Sequence, residues 1–180
     1  MREISRCYRA GMQVGTAVSI RTATEDDLAA ILAIYNEAIL TGVATWDEEP
    51  WTMAQRRAWW DAHDETQPVL VAEVEGEVAG FAYLTKMSAK SGWRFTREDT
   101  IYVDERLQGR GIGRLLLSAL LGRARELGLR LIVASITSEN AASLAMHEKL
   151  GFSVVGTLHN AGFKFGRWLD TTEMQLDLRG

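Results

Sequence analysis

Residues 100–127 hold the pattern that most restricts how this chain can fold. Thr100-Ile101-Tyr102-Val103 is a short β-branched and aromatic run. Gln108-Gly109-Arg110-Gly111-Ile112-Gly113-Arg114 follows it, and Leu115 to Leu127 is apolar at helical spacing. Strand, glycine turn and helix in that order leave unpaired backbone N–H groups at the positive end of a helix. Phosphate is the ligand such an end favours. The glycines let the backbone approach an anion closely, and Arg110 and Arg114 add charge. A glycine-rich connection with no ligand has the same glycines, so both readings stand at this point.

Two familiar phosphate cradles fail in place. A P-loop requires Lys and then Ser or Thr after its last glycine, where this chain has Arg114-Leu115. A dinucleotide-binding turn lies near the start of a βαβ unit, with an acidic residue about 20 positions on. Here three strands come first, and Leu129-Arg130-Leu131 occupies that neighbourhood.

Val18 to Thr22 reads as a strand, and Thr24 then caps a helix that runs to Leu40. Thr52 and Gln55 form a capping box for a second helix, to about His63. Val69 to Val74 and Val78 to Leu84 are strands of a hairpin, joined at Glu75-Gly76-Glu77. A loop spans Thr85 to Arg97, before the strand at Thr100. Leu131 to Ile136 reads as a buried central strand, Asn140 to Leu150 as a short helix, and Phe152 to Leu158 and Trp168 to Leu178 as two last strands. The order predicts a mixed α/β sheet with helices on both faces, and parallel neighbours around the glycine turn.

The chain has 180 residues, enough for one domain with a substantial core. A net charge of −4 gives no global attraction to nucleic acid or to an acidic membrane surface. Basic residues do gather between Arg106 and Arg130, which points to a small anionic ligand. Cys7 is the only cysteine, so neither an intrachain disulfide nor a cysteine-based metal site is expected. With no secretory or spanning segment in view, a cytoplasmic protein is expected. Met1 to Ala17 is read as a flexible extension ahead of a single domain over residues 18–180.

With its flanks, the glycine turn carries more. Gln108-x-x-Gly111-x-Gly113 after a strand, Asn140-Ala141-Ala142-Ser143, and His147-Glu148-Lys149-Leu150-Gly151-Phe152 together resemble the GNAT superfamily of acetyl-CoA-dependent N-acetyltransferases. Glu98-Asp99-Thr100-Ile101-Tyr102-Val103, the helix at Leu144 to Glu148, and Gly162-x-Lys164-Phe165-Gly166-Arg167-Trp168-Leu169-Asp170 are similar to the subgroup that acetylates phosphinothricin, methionine sulfoximine and methionine sulfone. The similarity runs from about Val18 to Leu178.

The resemblance implies a mixed, mostly antiparallel sheet with a splayed parallel strand pair. It also implies a site. Gln108 and the backbone of Gly109, Arg110, Gly111, Ile112, Gly113 and Arg114 would hold the CoA pyrophosphate. Ile101, Tyr102 and Val103 would pair with the pantetheine arm, and Asn140 with Ser143 would bind it further along. An amine at neutral pH is mostly ammonium, so a base must take its proton before attack. Glu98 matches the family's base. His147 stands where many superfamily members carry a tyrosine that protonates the leaving thiolate, and is assigned to proton transfer with its direction open. A backbone N–H of the cofactor strand, with Val103 the candidate, would meet the oxyanion. Trp93 and Arg94 are candidates for the acceptor pocket, the arginine for a carboxylate. No metal is required, and a homodimer is implied.

Plainer readings accompany each residue. Glu98 could be a solvated charge at a strand start, His147 a satisfied core histidine, and Asn140 only a helix cap. Trp46 and Tyr35 could line the acceptor pocket or sit in the core. Met87-Ser88 stands where the subgroup commonly has tryptophan and a basic residue, so the acceptor pocket is expected to differ. A broader small-amine or peptide N-terminal acetyltransferase, and a CoA-binding sensor without turnover, are the alternative functions.

Overall fold

The computed structural model describes residues 17–179. The extension expected over Met1 to Ala17, Cys7 included, lies outside the described residues apart from Ala17. Strands β1 (Val18–Thr22), β2 (Val69–Val74), β3 (Glu77–Lys86), β4 (Thr96–Val103), β5 (Leu131–Thr137), β6 (Ser153–Lys164) and β7 (Arg167–Asp177) form one sheet in the order β1-β2-β3-β4-β5-β7-β6. Only β4 and β5 run parallel. The helices are α1 (Leu28–Thr41), α2 (Met53–Asp61), α3 (Ile112–Glu126) and α4 (Ala141–Lys149). This is the mixed, mostly antiparallel architecture expected.

Each end forms for a local reason. The Thr52 hydroxyl accepts from the Gln55 backbone N–H at 3.3 Å, while the Gln55 side chain accepts from the Thr52 backbone N–H at 2.8 Å, which starts α2. Asn140 Oδ1 accepts from the Ser143 backbone N–H at 3.1 Å and starts α4. Glu75 and Gly76 both take positive φ, the geometry of a two-residue hairpin turn between β2 and β3.

Strand alternation divides the core between the two faces of the sheet. On one face Leu70, Ala72, Ala82 and Leu84 pack against Leu116, Leu117, Leu120 and Leu121 of α3, with Leu144 and Met146 of α4 and its cap residue Leu150 at the margin. On the other, Val69, Val71, Phe81 and Tyr102 pack against Ile31, Ile34, Tyr35 and Ile39 of α1 and the tryptophans of α2. Arg56 of α2 is almost completely buried there. Its guanidinium lies 4.6 Å from the ring centres of Tyr35, Trp51 and Trp59, so aromatic faces offset part of its desolvation.

Three strands depart from the sequence expectation, and tertiary pairing explains them. β6 runs past Leu158 to Lys164, where Gly162–Leu169, Phe163–Trp168 and Lys164–Arg167 pair it with β7. β4 begins at Thr96 because β3 continues to Lys86 and pairs with it out to Lys86–Arg97. Glu98 is therefore inside a strand. β5 is central but alternates, with Ile132 and Ala134 buried and Ser135 exposed, because only part of its length has β4 beside it.

Candidate active site

The parallel pairing of β4 and β5 runs through Thr96–Leu131, Arg97–Ile132 and Glu98–Val133, and ends there. Both strands continue, β4 to Val103 and β5 to Thr137, but apart. A cavity of about 490 Å³ opens in this fork. Its walls come from β4 residues 98–102, β5 residues 134–137, the loop residues Ala44, Thr45 and Trp46, and Asn140, Ser143 and His147 of the α4 region. Residues of both parities on β4 line it, so the cavity reaches both faces of the sheet.

Glu98 sits at the crotch of the fork. Burial pushes its carboxyl above the ordinary value; the Ser135 hydroxyl pulls the other way, and Glu173 and Asp99 add to the rise. The rise makes Glu98 a stronger base than an ordinary carboxylate, the direction that proton removal from an amine calls for.

Asp99, one residue on, pairs with His147 across the other face. His147 Nε2 lies 3.1 Å from Asp99 Oδ2, and both side chains are almost fully buried. The Nδ1–H of His147 donates to the Ser143 carbonyl at 2.8 Å, and the Phe152 ring stands edge-on 4.9 Å from the imidazole. Burial pushes the Asp99 carboxyl up, with His147 opposing. Burial alone would lower His147, but Asp99 and the Ser143 carbonyl outweigh it and raise its pKa. The sequence reading gave Asp99 no role; its adjacency to Glu98 was visible, its partner 48 positions away was not.

The glycine turn has the backbone geometry that an anion cradle requires. Gly109 and Gly111 have φ of 73° and 82°, the left-handed region that side chains avoid. Gly111 precedes α3, and a Cβ on Gly113 would stand 3.2 Å from Met146 sulfur, so glycine there lets α3 and α4 approach. Among the described residues, none accepts a hydrogen bond from the backbone N–H groups of Gly109 to Arg114. Six donors at a helix start, with Arg110 and Arg114 beside them, fit a pyrophosphate. Gln108 instead donates to the Val103 carbonyl at 3.2 Å, closing the turn onto β4. Beyond Glu98 the β4 edge has no β5 ladder, which leaves Ile101, Tyr102 and Val103 able to pair with an amide chain.

The Gly162-to-Asp170 signature gains a structural account. β6 and β7 turn at Phe165-Gly166, both at positive φ. Lys164 is fully buried, and its ammonium donates to the carbonyls of Gly42 and Thr45 at 2.8 Å each. Gly162 lies against Trp46, where a Cβ would stand 2.1 Å from the ring. Trp46 Nε1–H donates to Thr137 Oγ1 at 2.9 Å, and that hydroxyl donates to the Val43 carbonyl at 2.6 Å. Asp170 holds the bulge at Asn160 by accepting its backbone N–H at 2.8 Å, and Arg167 pairs with Glu139 ahead of α4. These contacts pin the loop after α1 across the fork, so Trp46 becomes a wall of the cavity. Tyr35 is buried behind that loop and donates to Asp47 at 2.7 Å.

The structure does not bring Trp93 and Arg94 to this cavity. They lie in the 87–95 connection, at the end of β4 opposite to the one where the fork opens. Arg94 stacks on Phe95 at 4.5 Å, and Trp93 is largely exposed. Of the segment Thr85 to Glu98, which holds the candidates Trp93 and Arg94, only Glu98 lines the cavity. The loop at Ala44 to Trp46 does so in its place.

Comparison with known proteins agrees with this geometry. The acetyltransferase (GNAT) family model matches residues 30–152. The methionine sulfoximine/methionine sulfone acetyltransferase of Pseudomonas paraeruginosa is 46% identical over 90% of this chain and 95% of its own. The phosphinothricin N-acetyltransferase of Alcaligenes faecalis is 39% identical over 98% of this chain and 86% of its own. An acetyltransferase of Salmonella typhimurium, solved with acetyl-CoA, superposes with a TM-score of 0.86 at 44% identity, over 89% of this chain and 94% of its own. The chain belongs to the GNAT family of acetyltransferases. It is an acetyl-CoA-dependent N-acetyltransferase.

Because Gly162 lies against the Trp46 ring, Gly162→Ala is expected to displace that wall. The KM for the amine should rise about tenfold while the acetyl-CoA dissociation constant holds. Steady-state kinetics and calorimetric titration check it; an unchanged amine KM would remove Trp46 from the acceptor side.

Proposed function

We propose that this enzyme transfers the acetyl group of acetyl-CoA to the α-amine of a small amino-acid-like acceptor, by direct attack in a ternary complex. The observation that carries the proposal is the fork. It puts a half-buried carboxylate of raised pKa, Glu98, beside a free strand edge that leads to an anion-binding helix start. The relatives named for phosphinothricin, methionine sulfoximine and methionine sulfone support those three acceptors as candidates.

In this reading the backbone of Gly109 to Arg114, with Gln108, holds the pyrophosphate of acetyl-CoA. Ile101 to Val103 pair with its pantetheine arm, with Val103 N–H the candidate donor to the carbonyl oxygen. Asn140 and Ser143 bind that arm near α4. When bound, acetyl-CoA supplies an activated acyl group. Glu98 takes the ammonium proton so that the nitrogen lone pair is free. His147 serves in proton transfer. Trp93 and Arg94 keep a role in the acceptor site only if a neighbouring subunit completes it.

A homodimer is part of the proposal. Val154, Val155, Leu158, Phe163, Phe165 and Trp168 are all exposed on the β6–β7 hairpin, and β6 is an edge strand. An apolar edge of this kind is what a second copy would cover. Sedimentation velocity should give about twice the mass of one chain; a monomer at micromolar concentration would overturn this part.

Release of free CoA thiol should be measured with methionine sulfoximine, methionine sulfone, phosphinothricin, a polyamine and a short peptide. The first three are expected to be preferred. Preference for the peptide would favour the N-terminal acetyltransferase alternative, and binding without thiol release a sensor. Glu98→Gln should lower kcat about 100-fold with little change in acetyl-CoA affinity. In the native enzyme the acid limb of kcat/KM should rise with pH through a value above the ordinary carboxylate range, since Glu98 acts only when deprotonated. A normal acid limb in the variant would show that another group is the base.

A further inference from the structure

Neighbouring residues of a strand point to opposite faces, so Glu98 and Asp99 serve opposite sides of the fork. Tyr102, of the same parity as Glu98, packs with α1. Ile101 and Val103, of the parity of Asp99, pack on the side of α3 and α4, where the glycine turn lies. His147 reaches Asp99 from α4 on that side. We propose that Asp99 is a positioning residue for acetyl transfer, holding His147 in one tautomer and keeping one proton on the Nε2–Oδ2 contact for the leaving thiolate. The proposal rests on the acetyltransferase reading above and supplies the direction of proton transfer at His147.

The tautomer follows from the partners. The Ser143 carbonyl can only accept, so Nδ1 carries a proton. Nε2 faces a carboxylate oxygen, so one proton lies between them. It makes either a histidinium with a carboxylate or an imidazole with a carboxylic acid. Both forms have no net charge. Losing that proton leaves a net negative charge in a buried place, and gaining another leaves a net positive one. The pair therefore keeps one proton over a wide pH range. Asp99 Oδ1 is buried and has no hydrogen-bond partner among the described residues, an acceptor left over beside the cavity.

The charged groups around the pair are few. Glu98 of β4 and Glu173 of β7 line the same cavity. On α4, Glu148 and Lys149 follow His147 with opposite signs. Phe152 adds no charge.

The step balances. The bond from amine nitrogen to carbonyl carbon forms, and the carbon–sulfur bond breaks with its electron pair on sulfur. The proton of the Asp99–His147 pair goes to that sulfur. The nitrogen gives one proton to Glu98 before attack, and a second, lost afterwards, restores the pair. One proton is released overall, from Glu98 to solvent.

Kinetics of Asp99→Asn against pH, together with nitrogen NMR of histidine-labelled native enzyme, test the proposal. In the variant, kcat should fall about 100-fold, with acetyl-CoA affinity within about twofold of the native value. The alkaline limb of kcat should move to lower pH, because His147 without the carboxylate loses its proton more readily. The acid limb, set by Glu98, should stay. An alkaline limb that does not move, or a change confined to acetyl-CoA affinity, would overturn the proposal. The NMR arm needs no variant, so it decides even if Asp99→Asn fails to fold. His147 Nδ1 should hold its proton throughout, and the proton shared between Nε2 and Asp99 should leave only above the ordinary histidine range. A bare Nδ1, or Nε2 titrating as a free histidine, would overturn it. If no amine is acetylated at all, the acetyltransferase reading fails, while the NMR result still decides for or against the Asp99 pairing.

Discussion

The parting of β4 from β5 after Glu98–Val133 is the interaction limit on which the site depends. A sheet ladder satisfies backbone N–H and C=O groups in pairs, and where it stops those groups must find other partners. Here the unpaired edge of β4 runs toward the glycine turn, so the same strand that ends one ladder offers the start of another. The parallel pair exists because α3 crosses from the end of β4 back to the start of β5. The fork, the free edge and the helix N-terminus are thus consequences of one crossover.

An opened sheet needs bracing, and the chain supplies it from distant segments. Lys164 and Gly162 on β6, Thr137 on β5 and Tyr35 on α1 all hold the loop after α1 in place. A fully buried ammonium is costly, and two carbonyl acceptors with the charges of Asp47 and Glu48 nearby offset part of that cost. The result places an aromatic wall, Trp46, across the cavity. A motif that carried no chemistry of its own proves to shape the space in which chemistry is proposed to occur.

Much of this was legible in the sequence because it is local. Thr52 with Gln55, Asn140, and the positive-φ glycines around α3 depend on residues within a few positions of each other. Composition and periodicity therefore placed the elements, and the family motifs pointed to acetyl-CoA as the co-substrate. The 87–95 connection, which holds the acceptor-pocket candidates Trp93 and Arg94, does not line the cavity. That segment is next to Glu98 in the chain, but strand pairing carries it to the far end of β4. Trp46, about fifty residues away, reaches the cavity because Gly162 and Thr137 receive it. The pairing of Asp99 with His147 was hidden for the same reason: nothing in a helix on one side and a strand on the other records their register.

By itself the sequence determined the periodicity, the caps, the glycine turn and the residue types from which an acetyltransferase site could be made. Those are short-range properties, set by backbone sterics and the spacing of apolar side chains. The tertiary structure alone decided which carboxylate faces which side of the fork, which aromatic closes the cavity, and which histidine nitrogen is free to share a proton. Strand alternation decides the first, the seating of Trp46 on Gly162 and Thr137 the second, and the approach of Asp99 to a histidine already bonded to the Ser143 carbonyl the third, and each brings together segments far apart in the chain.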